Sequence, residues 1–383
     1  MSYFKQKLKE ALENDRTLAQ TLVTVTGFSN PTPIYKFVNQ PGREFQSFST
    51  ILEIIETVFP GREREMMASY IPTLDPNGKN ARVSLEYTTK ELKDMHEGHI
   101  ERILNADNDE SRLWAQYYVL NQKRRKNQID GLEFITQVSE LPAHSSELQI
   151  LKYLSLTYIF HSKHVQPLVK EYAIKAMQLV DDISDPYIKA NYNARLHIAL
   201  GDGCLKENDI QSARHYLFRI KDMERNGMIH LVNLQLGKSF ILSDYDKAEH
   251  LFKEALANVI DEQSAHRQEI KKSLNFLYSY WGVDRHHSLH DKNAGNIASL
   301  IYYLISRNKE KEARHYLNQL NFADLNNWER AFCLYYEYRL SGNVDYLYQS
   351  IECFKQSGER YYRQISLRPL QDKNPYLLGA LQV

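Results

Sequence analysis

Net charge, glycine, proline and cysteine are all in short supply in this chain of 383 residues. Its 48 Lys and Arg residues match 48 Asp and Glu, so no global basic field advertises nucleic-acid binding; any such contact has to come from a local patch. Only 15 Gly and 11 Pro are present, while Leu, Tyr, Lys, Glu and Gln are plentiful, which favours helix over sheet. The three cysteines, Cys204, Cys333 and Cys353, have no CxxC spacing and read as small buried apolar residues in a reducing compartment. No run approaches about 18 uninterrupted apolar residues, so no transmembrane helix is expected. The start, "MSYFKQKLKEALENDRTLAQ", is amphipathic and charged without an apolar core, so it is no signal peptide. The expected location is the cytoplasm.

Motifs that carry chemistry are also missing. There is no P-loop, no GxGxxG and no GxSxG; the Gly-x-Gly of "ALGDGCLKEN" (199–208) reads as the end of a helix, not as a strand-to-helix turn. Carboxylates lie at charge-pair spacing on helix faces, as with Glu310 and Glu312 among Lys309, Lys311 and Arg314. In "DRHHSLHD" (284–291), His286 and His290 have metal-capable i, i+4 spacing. No cysteine or HExxH context accompanies them, so they read as solvated loop histidines, as do His161 and His164. The basic run "NQKRRKN" (121–127) reads as a helix terminus or loop before it reads as a nucleic-acid patch. An enzyme therefore has no residue to stand on, and neither cofactor nor metal is expected.

What is present is repetition. "ARHYL" occurs at Ala213–Leu217 and at Ala313–Leu317, 100 residues apart. Extended at i, i+4, i+7, the copies give Ala213, Leu217, Ile220 and Ala313, Leu317, Leu320. The same frame runs through Ala248, Phe252, Ala255, through Leu347, Ile351, Phe354, and more weakly through Tyr172, Ala176, Leu179. Ala213 to Ala248 is 35 residues, Ala313 to Leu347 is 34, and Ala248 to Ala313 is 65. A period near 34 is the tetratricopeptide (TPR) spacing. The stretch "LVNLQLGKSFILSDYDKAEHLFKEAL" (231–256) carries most of that motif, with Leu236-Gly237 at a close helix crossing. ARHYL then marks one packing slot filled twice, with Ala and Leu inward and Arg and His towards solvent or the neighbouring repeat.

The N-terminal region reads as short helices. Residues 3–13 place Phe4, Leu8, Ala11 and Leu12 on one face. "TLAQTLVTVT" follows and stops at Gly27; then "SNPTPIYKFVN" offers Asn30 as an N-cap and Pro31 as first helical residue. Two short helices joined by a Gly-containing turn match the helix-turn-helix pattern. Its second helix would present Asn30, Thr32 and Tyr35 to base edges and Lys36 to a phosphate. The pattern alone leaves open a helical cap that touches no DNA. The expected fold is all-α, a helix-turn-helix domain (1–75) followed by a degenerate TPR-like αα-solenoid: a helical linker with the first solenoid helices (76–130), TPR-like repeats (131–365) and a C-terminal capping or dimerisation segment (366–383).

The stretches "NPTPIYKFVN", "ILEIIETVFP", "LDPNGKNARVSLEY", "LKENDIQSAR", "LQLGKSFILSDYDKA" and "SIECFKQS" give the chain its resemblance to a known family. It resembles the arbitrium receptors (AimR) of SPbeta-like Bacillus phages, within the RRNPP group of peptide-pheromone receptors. The resemblance implies a phage transcription factor of the lysis–lysogeny decision that binds operator DNA as a homodimer. It also implies regulation by a short secreted peptide, about six residues long and containing Arg, held by the TPR region. The positions matching the family's peptide contacts are Asp202, Lys206, Gly227, Lys238, Asn327 and Glu359, with Arg225 the nearest substitute for an arginine missing at Gly227. Glu359 keeps an acid for an arginine of the peptide, whereas Asp202, Lys206 and Lys238 put charges where the family has neutral amides. The resemblance further places dimer contacts at Leu377, Leu378 and Leu381, leucines that a helix capping the last repeat would equally explain. Two rivals stay open: a Rap-like TPR regulator that binds a peptide and a protein partner but no DNA, and a TPR adaptor.

Overall fold

The computed structural model describes residues 2–221, 228–259, 264–288 and 293–373. Among these the chain is all α, with twenty-one α-helices and no strand. In order they are α1 (Tyr3–Asn14), α2 (Leu18–Thr26), α3 (Thr32–Asn39), α4 (Phe48–Val58), α5 (Glu63–Tyr70), α6 (Lys79–Glu91) and α7 (Lys93–Leu104). Then come α8 (Asp109–Arg125), α9 (Gly131–Glu140), α10 (Ser146–Ser162), α11 (Gln166–Met177), α12 (Pro186–Lys206), α13 (Ile210–Lys221) and α14 (Ile229–Phe240). The last are α15 (Tyr245–Ala257), α16 (Ala265–Trp281), α17 (Ala294–Ser306), α18 (Glu310–Leu317), α19 (Asn327–Ser341), α20 (Asp345–Ser357) and α21 (Gln364–Lys373). They divide into two compact units, Met1–Ile159 with Tyr172–Asn193, and Phe160–Glu171 with Ala194–Val383.

In the first unit, α1–α5 close around an aromatic core. Phe4 meets Tyr70 edge-on at 5.6 Å between ring centres, and Phe37 stacks on Phe45 at 4.3 Å. Gly27 ends α2 at φ 70°, a left-handed conformation open to glycine without a Cβ clash. Asn30 Oδ1 accepts the Thr32 N–H at 3.0 Å, but the N-cap position itself is Pro31, so α3 starts one residue later than the sequence suggested. The basic run ends α8, where Lys123, Arg124 and Arg125 face the negative end of the helix.

The second unit is built from helix pairs. Both ARHYL segments follow a turn whose left-handed residue is an asparagine, Asn208 at φ 67° and Asn308 at φ 57°. The turns close alike: Asp209 N–H donates to Cys204 O at 2.8 Å, and Lys309 N–H to Leu304 O at 2.9 Å. The duplicated slot is therefore a turn plus a helix start. Ala213, Leu217, Ala313 and Leu317 are buried, and His215 and His315 are exposed. Arg214 reaches the next pair, donating to Ser239 O at 2.7 Å and lying 3.5 Å above the Phe240 ring. Arg314 does likewise with Glu337 of α19 at 2.6 Å.

His164 (φ 57°) makes the same turn between α10 and α11. The buried frame after it is Val169, Ala173, Ala176, not Tyr172, Ala176, Leu179. Neighbouring stripes of a helix share residues, so Ala176 fitted both readings and pattern alone chose the wrong one. The 65-residue step from Ala248 to Ala313 spans α16 and α17 instead of two regular pairs, which is why it departs from twice the period.

Close approach of paired helices depends on two glycines. A Cβ on Gly237 would sit 2.6 Å from Phe252 Cε1, and one on Gly201 would sit 2.7 Å from Leu217 Cγ. Gly237→Ala is expected to cost about 1–3 kcal/mol through overpacking. Chemical denaturation should show that loss, and adding Phe252→Leu should recover part of it.

Candidate functional site

Two groups of residues stand out, one in each unit. In the first, α3 buries Ile34, Phe37 and Val38 and turns Thr32, Tyr35, Lys36 and Asn39 outward. The i, i+3, i+4, i+7 spacing makes these four one stripe, continued by exposed Asn30 before the helix. Of the four residues expected to meet DNA, Thr32, Tyr35 and Lys36 thus share one solvent face, and Asn30 is exposed just before it.

Behind that face lies a residue the sequence reading missed. Lys5 of α1 is 1% exposed, and its Nζ donates to Gln40 O at 2.9 Å, Pro41 O at 2.9 Å and Arg43 O at 2.7 Å. The ammonium also lies 4.2 Å from the Phe37 ring centre. It thereby satisfies carbonyls at and beyond the α3 C-terminus that the helix leaves open. Desolvation lowers the Lys5 pKa to about 8, opposed by the charge of Glu44. A lysine between Phe4 and Leu8 carries no sequence mark of burial; the unmet carbonyls of "NQPGR" are the only hint. Lys5→Met should destabilise the N-terminal bundle by roughly 2 kcal/mol, read as a lower urea midpoint.

In the second unit, charged side chains from five segments gather. His161 Nε2 of α10 lies 2.5 Å from Asp202 Oδ2 of α12, and Lys206 Nζ, one turn on, is 3.2 Å from the same oxygen. Lys206 Nζ also lies 3.8 Å from Glu359 Oε1, after α20. The Arg360 N–H donates to Lys206 O at 2.7 Å, tying that loop to the end of α12. Lys238 of α14 pairs with Glu269 of α16 at 2.5 Å, and its charge acts on Asp202 and Glu359.

The protonation states follow from this arrangement. Burial pushes the Asp202 carboxyl up, but Lys206 and His161 outweigh it and hold it far below the usual carboxylate range. Burial likewise opposes the Lys238 ammonium, and Glu269 and Asp202 outweigh that and raise its pKa. Glu359 goes the other way: burial dominates the pull of Lys206 and pushes it up to about 7.

Of the expected peptide contacts, Asp202, Lys206, Lys238 and Glu359 are brought into this group. Asn327 opens α19 half-buried, and nothing ties it to the others. Arg225 and Gly227, and Leu377, Leu378 and Leu381, lie outside the described residues. His161 is not in a loop: it lies in the last turn of α10, partly exposed, and bonds Asp202 of α12. Together with Glu269 it completes the group, and neither partner is signalled locally since the pairs span 41 and 31 residues. His286 and His287 are half-buried as well: Asn275 brackets the His287 backbone at 2.7 and 3.0 Å, and His286 packs 5.0 Å from the Tyr303 ring. His290 lies outside the described residues. Among the described residues no three His, Cys, Asp or Glu side chains are grouped to hold a metal ion, and no helix is long and apolar enough to cross a membrane.

The raised carboxyl gives a pH signature. Between its ordinary value of 4.5 and about 7, folded Glu359 keeps a proton that an unfolded chain has released. The stability this contributes is present below about 4.5 and lost as pH rises through about 7. Relative to the parent, Glu359→Gln should therefore gain thermal stability as pH is raised from about 5 to about 8, measured as the difference in Tm.

The family of AimR transcriptional regulator-like proteins matches residues 63–372. The AimR transcriptional regulator of Bacillus phage phi3T is 27% identical over 369 residues, covering 95% of this chain and 96% of that protein. Its counterpart in Bacillus phage SPbeta is 26% identical and is covered, like this chain, along its full length. A solved structure of selenomethionine phAimR shares the fold at a TM-score of 0.79 and 26% identity, over 99% of this chain and 100% of that one. Ligand-bound phAimR shares it at 0.76 and 24% identity, over 88% and 100%.

Proposed function

The chain belongs to the AimR family of transcriptional regulators, and from that premise we propose that it binds operator DNA as a homodimer under the control of a short signalling peptide. The observation that carries the DNA half is the outward stripe of α3. Asn30 and Thr32 are of the type that hydrogen-bonds base edges, Tyr35 adds apolar contact, and Lys36 supplies attraction to phosphate. A two-fold dimer would set two such stripes at the spacing of two half-sites, with Leu377, Leu378 and Leu381 as the proposed contact. The phage origin of the relatives supports a role in the choice between lysis and lysogeny.

The charged group of the second unit supports the peptide half. Buried ion pairs add little net stability once desolvation is counted, so six ionisable side chains held together suit recognition better than folding. Glu359 is placed to take an arginine of the peptide in exchange for Lys206, and the two lysines suit a carboxylate end. Arg225 and Asn327 are the remaining proposed contacts. The peptide moves the regulator between DNA-binding and released states only by as much as it binds one better than the other.

Footprinting of the DNA around the gene tests the reading. A protected site is expected, with Lys36→Ala weakening binding at all salt concentrations and lowering the salt slope by about one per protomer. A chain that protects no DNA would instead fit the Rap-like reading, a regulator acting through a protein partner.

A further inference from the structure

The seam between α11 and α12 holds a polar side chain with nothing to bond. Gln166 opens α11, is 5% exposed, and neither its Nε2 nor its Oε1 has a hydrogen-bond partner. Gly203 of α12 lies against it: a Cβ there would meet Gln166 Oε1 at 3.4 Å and Val169 Cγ1 at 4.0 Å. Pairs on either side fix the register. His161 bonds Asp202, the residue before Gly203, and Lys170, one turn beyond Gln166, pairs with Glu207, one turn beyond Gly203. The carboxamide therefore sits between the His161–Asp202 hydrogen bond and the Lys170–Glu207 ion pair, against the stretch of α12 that carries Asp202 and Lys206. His161 keeps 38% of its side chain exposed, so solvent reaches this seam beside Asp202.

A buried amide without partners destabilises a fold, and packing alone would be served better by Met or Leu. We propose that Gln166 is a ligand-reading residue whose carboxamide is kept open for one peptide unit of the bound ligand. A carboxamide offers a donor and an acceptor side by side, the complement of a main-chain amide. Nε2–H donates to the ligand's C=O, and Oε1 accepts from its N–H. The contact is blind to ligand side chains and lies beside charged groups that discriminate among them. It rests on the peptide reading above and adds to it a main-chain grip that is unmet when the ligand is absent.

The test compares full-length parent, Gln166→Met and Gln166→Leu in two measurements. The first is the Tm of the ligand-free protein. The second is affinity selection from a synthetic hexapeptide library in which every member carries one arginine, followed by titration of the selected peptide. Both variants should raise the Tm by roughly 1–3 °C, because an unsatisfied amide has gone. Both should also weaken the selected peptide about tenfold. A merely structural Gln166 would not separate the two effects in this way. Unchanged peptide affinity overturns the proposal, and so does a fall in Tm for both variants, which would mean that the amide has a partner in the folded chain. If the parent selects no hexapeptide, the peptide reading itself falls and this inference with it; equal binding by parent and variants leaves that reading standing and removes only Gln166.

Discussion

Everything in the second unit depends on how closely paired helices can approach. At Gly201 and Gly237 the space a Cβ would occupy is already taken by Leu217 and by the Phe252 ring. With helices that near, the long side chains between pairs have few directions left. Arg214 and Arg314 are carried across to the next pair, one to a carbonyl and an aromatic face, the other to a carboxylate. The same closeness delivers Asp202, Lys206, Lys238 and Glu359 to one place from segments far apart in the chain. There burial outweighs the pull of the lysines on Glu359 and raises its pKa to about 7.

How much of this was legible depends on the distance over which each signal acts. Local, periodic signals read well: the Ala and Leu frame of the repeats, the stop at Gly27 and the outward stripe of α3 all follow from spacing within a few residues. Signals that need the fold did not. Asp202, Lys206, Lys238 and Glu359 came to notice through a family resemblance, since no local pattern distinguishes them from other charged residues on helices. His161 and Glu269 escaped because their partners lie 41 and 31 residues away. Lys5 escaped because a lysine on a short amphipathic helix ordinarily faces water. The frame at Tyr172 failed for the reverse reason: the periodic signal was present, but two overlapping stripes satisfied it.

The two candidate surfaces differ in what they ask of the protein. The α3 stripe is neutral apart from Lys36, in keeping with a chain whose charges cancel overall. On the proposed reading, attraction to DNA would rest on few cations, and discrimination would fall to the hydroxyl, amide and phenol groups. The second surface is the opposite case, with Asp202, Lys206, Lys238 and Glu359 concentrated and mostly buried while His161 and Glu269 reach solvent. A regulator built as proposed would keep its outward face simple and settle its ligand chemistry among mostly buried charges.

The clamp on α3 also has a mechanical meaning. Lys5 holds the C-terminal end of that helix, and at the other end Asn30 Oδ1 accepts the Thr32 N–H while Ile34 is fully buried. An eight-residue helix is about 12 Å long. Tilting it by about 10° around the Lys5 end would move Thr32 by about 2 Å, Lys36 by about 1 Å and Asn39 least. In the proposed DNA complex the clamp would fix the end of α3 nearer Lys36, so any adjustment to grooves of differing width would fall mostly on the end bearing Thr32.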